Sequence, residues 1–286
     1  MYRKLIPLLS ILILFGGLYC TQNIIHEKPA KDAVGAVFFP GENLRVEMIQ
    51  PGVYLVTHSF PWPANSLIVN LGQKGFCMVD TPYTPGATVQ IIDWMKRKFL
   101  RLPVLAINTG FHVDNLGGNQ ALSFAGIPVY GTRLTGSLTR SQGAPSLKKL
   151  LPFLKGEENM KYRKVFEALT LMGPDRQIII DSEGRGRLLK GAIDVFYPGP
   201  THTKDNLVVF FPSKNLLFGG CMVLAAAAQS PGNSSDADMK KWPWNVEKVL
   251  QRYAGAGKVI PGHGAPGDVS LLRHTIDVLH RLRRGR

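Results

Sequence analysis

A histidine and an aspartate separated by one residue stand in the stretch NTGFHVDNLGGN, residues 108–119. The apolar residues 104–107 before it predict a buried strand, and its own glycines and asparagines indicate a loop. Imidazole and carboxylate groups are common ligands of divalent metals, so His112 and Asp114 predict a metal site at a strand end. Gly110 stands two residues before His112, where a histidine would add another ligand.

Three further stretches place metal-binding side chains after apolar runs. They carry His202 in PGPTHTKDN, Cys221 in FGGCMV and His263 in IPGHG. A lone histidine in such a loop is more often structural, but five metal-capable residues in four similar settings favour one shared site. Thiolate, imidazole and carboxylate ligands together suit Zn²⁺, with a fourth position left for water or substrate.

The elements that must position these loops form two similar halves. Short β-like runs between residues 44 and 82, separated by turn signals, predict an antiparallel meander. Alternating strands and helices follow it, and a second strand set is predicted to begin at RQIII, residues 176–180. We therefore predict an α+β or α/β protein, a four-layer αββα sandwich whose polar loops meet at one edge. The predicted helices are 86–100, 119–124, an interrupted amphipathic segment 145–173, 236–254 and 269–284.

The first residues predict export. Arg3 and Lys4 precede an apolar run from Leu5 to Leu18, which is short for a bilayer span. The run ends in GGLYC, which predicts lipidation at Cys20; an ordinary cleaved signal peptide is the alternative. We expect a periplasmic protein, attached to the membrane if Cys20 is lipidated. The predicted division is a signal peptide 1–19, a tether 20–42 and a domain 43–286.

The composition narrows the class of protein. With 286 residues and 45% hydrophobic residues, the chain can form one large domain with a well-buried core. The net charge of +14 includes a C-terminal cluster, HRLRRGR, which is either a solvated helix end or a contact for an acidic membrane surface. The sequence has no basic patch with interleaved aromatic residues, so nothing in it indicates nucleic-acid binding. Cys77 lies in an apolar strand pattern and Cys221 in a loop, so we expect no disulfide between them.

The chain resembles a class B metallo-β-lactamase over about residues 44–283. The resemblance implies the αββα fold and a zinc enzyme that hydrolyses the amide bond of a β-lactam; we expect a monomer. The motifs that carry it are DTP at 80–82, FHVDNLGGN, VFYPGPTHTKDN, LLFGGCMV, GNSSDADMKKWP and PGHG.

The resemblance also implies two unequal metal sites. One is complete, with Asp114, Cys221 and His263 as its ligands. The other should have three histidines, and only His112 and His202 match, because Gly110 has no side chain to offer. Two histidines alone would hold zinc weakly, so we expect one tight zinc and at most a weak second ion.

The chain resembles both the mono-zinc and the di-zinc subclasses. Like the narrow carbapenemases of the mono-zinc subclass, it lacks a histidine at position 110, has a compact hairpin at VYLVTHSFPWPANS and has a segment at 145–173 that could wall the pocket. The stretches FYPGPTHTKDN and FGGCMV resemble the di-zinc subclass. We expect a carbapenem preference and expect Gly110→His to strengthen binding of a second zinc; His58 could instead lend the missing ligand.

If the incomplete site holds no zinc, its two histidines are available for catalysis. His202 and His112 would be neutral near pH 7 and could orient or deprotonate the attacking water. Asp114 is a weaker base because coordination lowers its basicity. Asp205 and Asn206 are predicted to brace the loop that carries His202.

Substrate contacts are less complete. Asn233 matches the family's substrate-binding asparagine, although a turn residue after Pro231-Gly232 is an equal alternative. Leu224 stands where many members have a lysine that holds the substrate carboxylate, and Asn115 stands where relatives often have an arginine. Lys204 could substitute for the lysine.

Two other functions stay open. A related hydrolase could act on a lactone, thioester or phosphoester, but such relatives usually bind metal through histidines and a bridging aspartate, and Cys221 argues against this. A non-catalytic zinc-binding protein is the other alternative. The retained Asp-Cys-His set argues against it.

Overall fold

Two β-sheets form the centre of the protein, in a computed structural model that describes residues 32–284. Residues from Ala33 onward belong to one compact unit. The larger sheet has the order β1 (Val37–Gly41), β2 (Leu44–Gln50), β3 (Val53–Ser59), β4 (Pro63–Asn70), β5 (Phe76–Val79), β6 (Pro103–Ile107), β7 (Val129–Gly131) and β8 (Arg176–Gln177). The smaller sheet has the order β13 (Lys258–Pro261), β12 (Leu216–Gly220), β11 (Val208–Phe211), β10 (Ile193–Phe196) and β9 (Arg185–Leu188).

The predicted meander is present, since β1 to β5 pair antiparallel in chain order, and β5 to β8 then pair parallel. β8 corrects one prediction: RQIII does not open the second sheet but pairs with β7 at the edge of the first. β1 pairs with β2 within residues that the sequence assigned to the tether, so the folded body extends upstream of residue 43. Cys20 and the predicted signal peptide lie outside the described residues.

Helices cover the outer face of each sheet and produce the predicted four layers. α1 (Pro85–Phe99) and α3 (Asn119–Phe124) cover the larger sheet, and α6 (Trp242–Arg252) and α7 (Ser270–Arg284) cover the smaller one. Alternating side chains of the strands explain this layering: Met78 faces the helices while Cys77 and Val79 face the second sheet. The remaining helices are α2 (Val113–Leu116), α4 (Arg133–Leu150) and α5 (Met160–Ala168).

The amphipathic segment predicted at 145–173 is a smaller part of a longer helical region. α4 begins at Arg133, where the Thr132 side chain caps it by accepting from the Thr135 N–H. Two short 3-10 helices, Leu151–Phe153 and Glu157–Asn159, then connect α4 to α5. Residues 133–144 carry glycines and polar side chains with little apolar periodicity, so their sequence does not indicate a helix. Between residues 32 and 284 no helix has the length and hydropathy needed to span a membrane.

Candidate metal centre

Three parallel strand ends bring the predicted ligands together. α2 follows β6 and carries Asp114, while Cys221 follows β12 and His263 follows β13. Cys221 Sγ lies 3.0 Å from Asp114 Oδ2, and His263 Nε2 lies 3.1 Å from the same oxygen. The potential ligand atoms of these three residues all lie within 4.8 Å of one another. This donor set, one carboxylate, one thiol and one imidazole around a common point, fits a zinc ion.

The mutual contacts of these groups set their protonation. Desolvation opposes ionisation of Asp114, but its hydrogen bond and charge interaction with His263 outweigh this, and its pKa lies well below the usual value. Desolvation lowers the pKa of His263, yet the partnership with Asp114 raises it overall. Burial and the negative charge of Asp114 raise the pKa of the Cys221 thiol well above its usual value. Cys221 is therefore a thiol until a cation replaces its proton.

His112 belongs to a second group of contacts, which the sequence does not predict. Its Nε2 lies 3.0 Å from Oδ2 of Asp236, whose other carboxylate oxygen accepts from Nζ of Lys149 on α4. The hydrogen bond with His112 holds the pKa of Asp236 well below its usual range. An ionised Asp236 accepts a hydrogen bond from the Nε2–H of a neutral His112, which leaves the lone pair of the ring on Nδ1. The one sequence signal for this pair was an acidic residue three positions after Asn233.

His202 lies beside His112 and is largely buried. The two imidazole rings are 5.2 Å apart, and the Trp242 ring lies 5.3 Å from His202 on another side. Burial, assisted by the nearby His112, lowers the pKa of His202 to about 3. Its Nδ1 is buried and has no hydrogen-bond partner. His202 is thus neutral near pH 7, as the sequence predicted.

The loop that carries His202 is braced as predicted. Oδ1 of Asn206 accepts from the Thr203 N–H at 2.7 Å and from the Thr201 hydroxyl at 3.1 Å. Oδ1 of Asp205 accepts from the Thr203 hydroxyl at 2.6 Å. These short local bonds fix the backbone on both sides of His202.

The space beside Gly110 is occupied. A Cβ atom at Gly110 would lie 2.6 Å from Nδ2 of Asn206 and 2.9 Å from Oδ1 of Asn115. Both amides are buried, and the Asn115 oxygen has no hydrogen-bond partner. The missing ligand has therefore not left a hole, because two asparagine side chains fill the position.

Asp80 holds the metal-binding loop through hydrogen bonds. In the sequence, Asp80 stands out only as part of the DTP motif. It accepts from the backbone N–H of Thr109 at 2.7 Å, from the Thr109 hydroxyl at 2.6 Å and from Nδ2 of Asn115 at 2.9 Å. The same Asn115 amide lies 3.6 Å from Cys221 Sγ. Asn115, in the position where relatives often have an arginine, thereby connects Asp80 to a predicted ligand.

A cavity of about 870 Å³ opens above these groups, and His112, Asp114, His202, Cys221 and His263 all line it. The segment 145–173, predicted to wall the pocket, contributes Leu150 and Phe153 to the cavity wall. Neither lysine nor arginine lines this cavity among the described residues, and Lys204 is not part of its wall. Asn233 lines the cavity while its Oδ1 accepts from the Ser235 N–H at 3.3 Å, so it is both a turn residue and a wall residue. The apolar wall includes Trp62, Leu150, Phe153, Leu224 and Ala228.

Two further residues outside the ligand set have structural roles. His58 is 3% exposed, accepts the Tyr83 N–H on Nδ1 at 3.1 Å and stacks on Phe60. It does not line the cavity, so the suggestion that it lends a missing ligand is wrong. Cys77 and Cys221 are both free, and Cys77 is fully buried between the sheets, as expected.

Comparisons with known proteins found a matching family and several similar proteins. The family described as the metallo-beta-lactamase superfamily matches residues 60–263. A "Metallo-beta-lactamase type 2" of Bacillus cereus is 32% identical over 76% of this chain and 73% of its own length. One of the same name from Pseudomonas aeruginosa is 31% identical over 82% of this chain and 83% of its own. The crystal structure of VMB-1 superposes with a TM-score of 0.70 at 30% identity, covering 85% of this chain and 99% of that one.

Proposed function

This chain belongs to the metallo-beta-lactamase superfamily, and from that premise we propose that it hydrolyses the amide bond of β-lactams with zinc. The observation that carries the proposal is the convergence of Asp114, Cys221 and His263 on one point within 4.8 Å, in the wall of a cavity that can admit a small molecule. The relatives named metallo-beta-lactamase support the reaction class.

The three ligands named above would hold the zinc. When bound there, zinc supplies a Lewis acid beside the substrate. The protein contributes the geometry of that site: Asp80 and Asn115 hold the loop, and Asn115 also approaches Cys221. Ligands fixed in this way by second contacts keep their orientation when the metal leaves and returns.

His112 is the better candidate for the base that accepts a proton from the attacking water. Asp236 fixes its ring and stabilises the imidazolium that forms on protonation, as a carboxylate does in an Asp-His pair. The sequence predicts the same role for His202, but with a pKa of about 3 this histidine is a poor proton acceptor near neutral pH. His202 instead presents a neutral, buried ring beside His112.

A single tight zinc and a preference for carbapenems are the finer part of the proposal. At Gly110 no side chain is available, and the space is filled by Asn115 and Asn206, which supports one occupied site. The short connection between β3 and β4 and the wall formed by Leu150 and Phe153 support a narrow substrate range. Asn233 in the cavity wall can donate to a lactam carbonyl.

Hydrolysis of a penicillin, a cephalosporin and a carbapenem by the metal-stripped protein during zinc titration tests the proposal. We expect turnover of the carbapenem to peak near one equivalent of zinc. Cys221→Ser is the matched variant and should require more zinc for any activity. Absence of turnover of every β-lactam at every zinc level would refute the proposal.

A lactone is the second candidate substrate, and the absence of lysine and arginine from the described cavity wall favours it. No lysine or arginine of this wall can pair with the carboxylate that β-lactam antibiotics carry. The same titration with a simple lactone separates the two functions. Turnover of the lactone alone would replace the β-lactamase proposal.

A further inference from the structure

The edge of the sandwich opposite the metal centre carries basic residues at the starts of its strands. β5, β6, β10, β12 and β13 all run toward the metal-binding loops, because β5 pairs parallel with β6, β12 pairs parallel with β13, and β10 is parallel to β12 through β11. The N-terminal ends of these strands therefore define one shared edge, which we call the basal edge. A basic residue stands just before or at the start of each strand: Lys74, Arg101, Lys190, Lys214 and Lys258.

The end of α1 adds to this charge. The sequence MKRKFLR places Lys96, Arg97 and Lys98 in the last turn of α1, immediately before β6. Basic residues outnumber the acidic ones at this edge: Asp93 pairs with Lys96 and Asp194 pairs with Arg252, while Asp175 accepts the Val129 N–H and Asp268, beside Lys258, accepts the Ser270 N–H. The basal edge therefore carries a net positive charge.

Two large apolar side chains stand out from the same edge. Leu100, which ends α1 in a left-handed conformation, is 88% exposed, and Phe124, at the end of α3, is 96% exposed. They lead into the neighbouring parallel strands β6 and β7, so both belong to the basal edge. Exposed apolar tips surrounded by lysine and arginine are typical of surfaces that enter the headgroup region of a bilayer.

The folded body also begins at this edge. β1 is antiparallel to β2, and the Gly35 N–H donates to the Met48 carbonyl near the end of β2, which runs toward the basal edge. Residues 1–31, with their apolar run from Leu5 to Leu18, connect to the body there. By contrast, the ring of His280 on α7 contacts the ring of Trp244. Trp244 lies at the start of α6, near the metal centre. The described C-terminal end of α7 thus lies away from the basal edge.

We propose that the basal edge docks on a membrane surface rich in anionic phospholipids, with Leu100 and Phe124 in the headgroup region and the metal centre facing away. The proposal does not depend on the catalytic activity or on bound metal. It differs from tethering through the N-terminal segment alone, because a tether would leave the surface of the folded body in water.

Hydrogen exchange of the full chain, followed by mass spectrometry, distinguishes docking from tethering. We expect slower exchange in residues 97–104 and 122–128 on vesicles of phosphatidylcholine with phosphatidylglycerol than on phosphatidylcholine alone. Residues 231–236 beside the cavity should exchange equally on both. Unchanged exchange at the basal edge of vesicle-bound protein, or slowing at the C-terminal end of α7 instead, would overturn the proposal.

Variants give an independent measure of the same surface. Arg97→Gln with Arg101→Gln should weaken partitioning onto the anionic vesicles about 25-fold, at about fivefold for each basic residue. Leu100→Ser with Phe124→Ser should weaken it on the same vesicles. Trp244→Ser, which alters an exposed aromatic at the other end, is the matched control and should have no effect. Equal partitioning of all variants would contradict docking through this edge.

Discussion

The Nδ2 atom of Asn206 lies 2.6 Å from the point where a Cβ atom would stand on Gly110. Asn206 is buried and holds both Thr201 and Thr203 in the loop that carries His202, so its amide has little freedom to withdraw. The space that a side chain at position 110 would need is thus already filled by packed side chains. We therefore expect that a histidine at position 110 would first have to displace this amide.

The first prediction concerns Gly110→Ala. The added methyl would lie within 3.0 Å of two buried amides, so we expect it to lower the free energy of unfolding by about 1 to 3 kcal/mol, measured by urea unfolding. Gly86→Ala is the control, because a Cβ there meets nothing within 4 Å in the first turn of α1. Equal stability of the two variants would show that the asparagines yield freely.

The same packing revises the expectation for Gly110→His. The sequence predicted stronger binding of a second zinc, whereas the imidazole must first displace Asn206 and Asn115. We now expect loss of stability with an unchanged zinc stoichiometry by equilibrium dialysis. A gain of a second tightly bound zinc would show that the two amides move.

These residues also show how far the sequence could lead. The layered fold and a shared metal site were predictable, because apolar strands followed by polar loops carry a strong local signal, whereas the grouping of Asp114, Cys221 and His263 followed from the resemblance to a known family. The pair of His112 with Asp236 spans 124 positions of the chain and joins loops from different layers, so spacing could not indicate it. The occupied space at Gly110 was hidden for the same reason, since Asn206 approaches it from the second sheet.

Asp236→Asn tests the proposed base. The amide keeps the size of the side chain but loses the charge that stabilises a protonated His112, so we expect kcat to fall about 10- to 100-fold. Zinc affinity should change little, because Asp236 does not contact Asp114, Cys221 or His263. Lys149→Met is the control that keeps the His112 contact. An unaltered kcat in Asp236→Asn would exclude the pair from the reaction.

Leu224→Lys tests whether the cavity wall lacks a cation for the substrate carboxylate. Leu224 lines it, and a lysine there would offer a charge-assisted hydrogen bond to a substrate carboxylate. We expect KM for a carboxylate-bearing β-lactam to fall about tenfold, while a neutral ester of the same compound is unaffected. Leu224→Met, which stays apolar, should leave both KM values unchanged. A parallel fall for acid and ester would mean that the effect is not recognition of charge.

Zinc binding should release a proton from Cys221. Burial and the charge of Asp114 raise the pKa of the thiol in the metal-free protein, and zinc binds the thiolate. We expect Cys221 to release about one proton per zinc in a weakly buffered indicator assay, with a further contribution from His263 where its imidazole is protonated, and zinc affinity that rises at least about tenfold per pH unit. In Cys221→Ser the release should be smaller by about one proton per zinc. Zinc binding without proton release would exclude the thiolate as a ligand.

Acid stability should depend on His58. Burial lowers its pKa from 6.5 to about 4, so the unfolded chain gains a proton below pH 6.5 that the folded protein does not accept until about pH 4. The stabilisation from a neutral His58 is complete above pH 6.5 and is lost as the pH falls through that window, by about 3 kcal/mol in total. Urea unfolding of the metal-free protein from pH 7 down to 4.5 should show this loss in the wild type. His58→Asn, which retains an acceptor for the Tyr83 N–H, should start less stable but fall less steeply, whereas the control His280→Gln should follow the wild type. Parallel pH profiles for wild type and His58→Asn would mean that His58 is protonated in the folded protein.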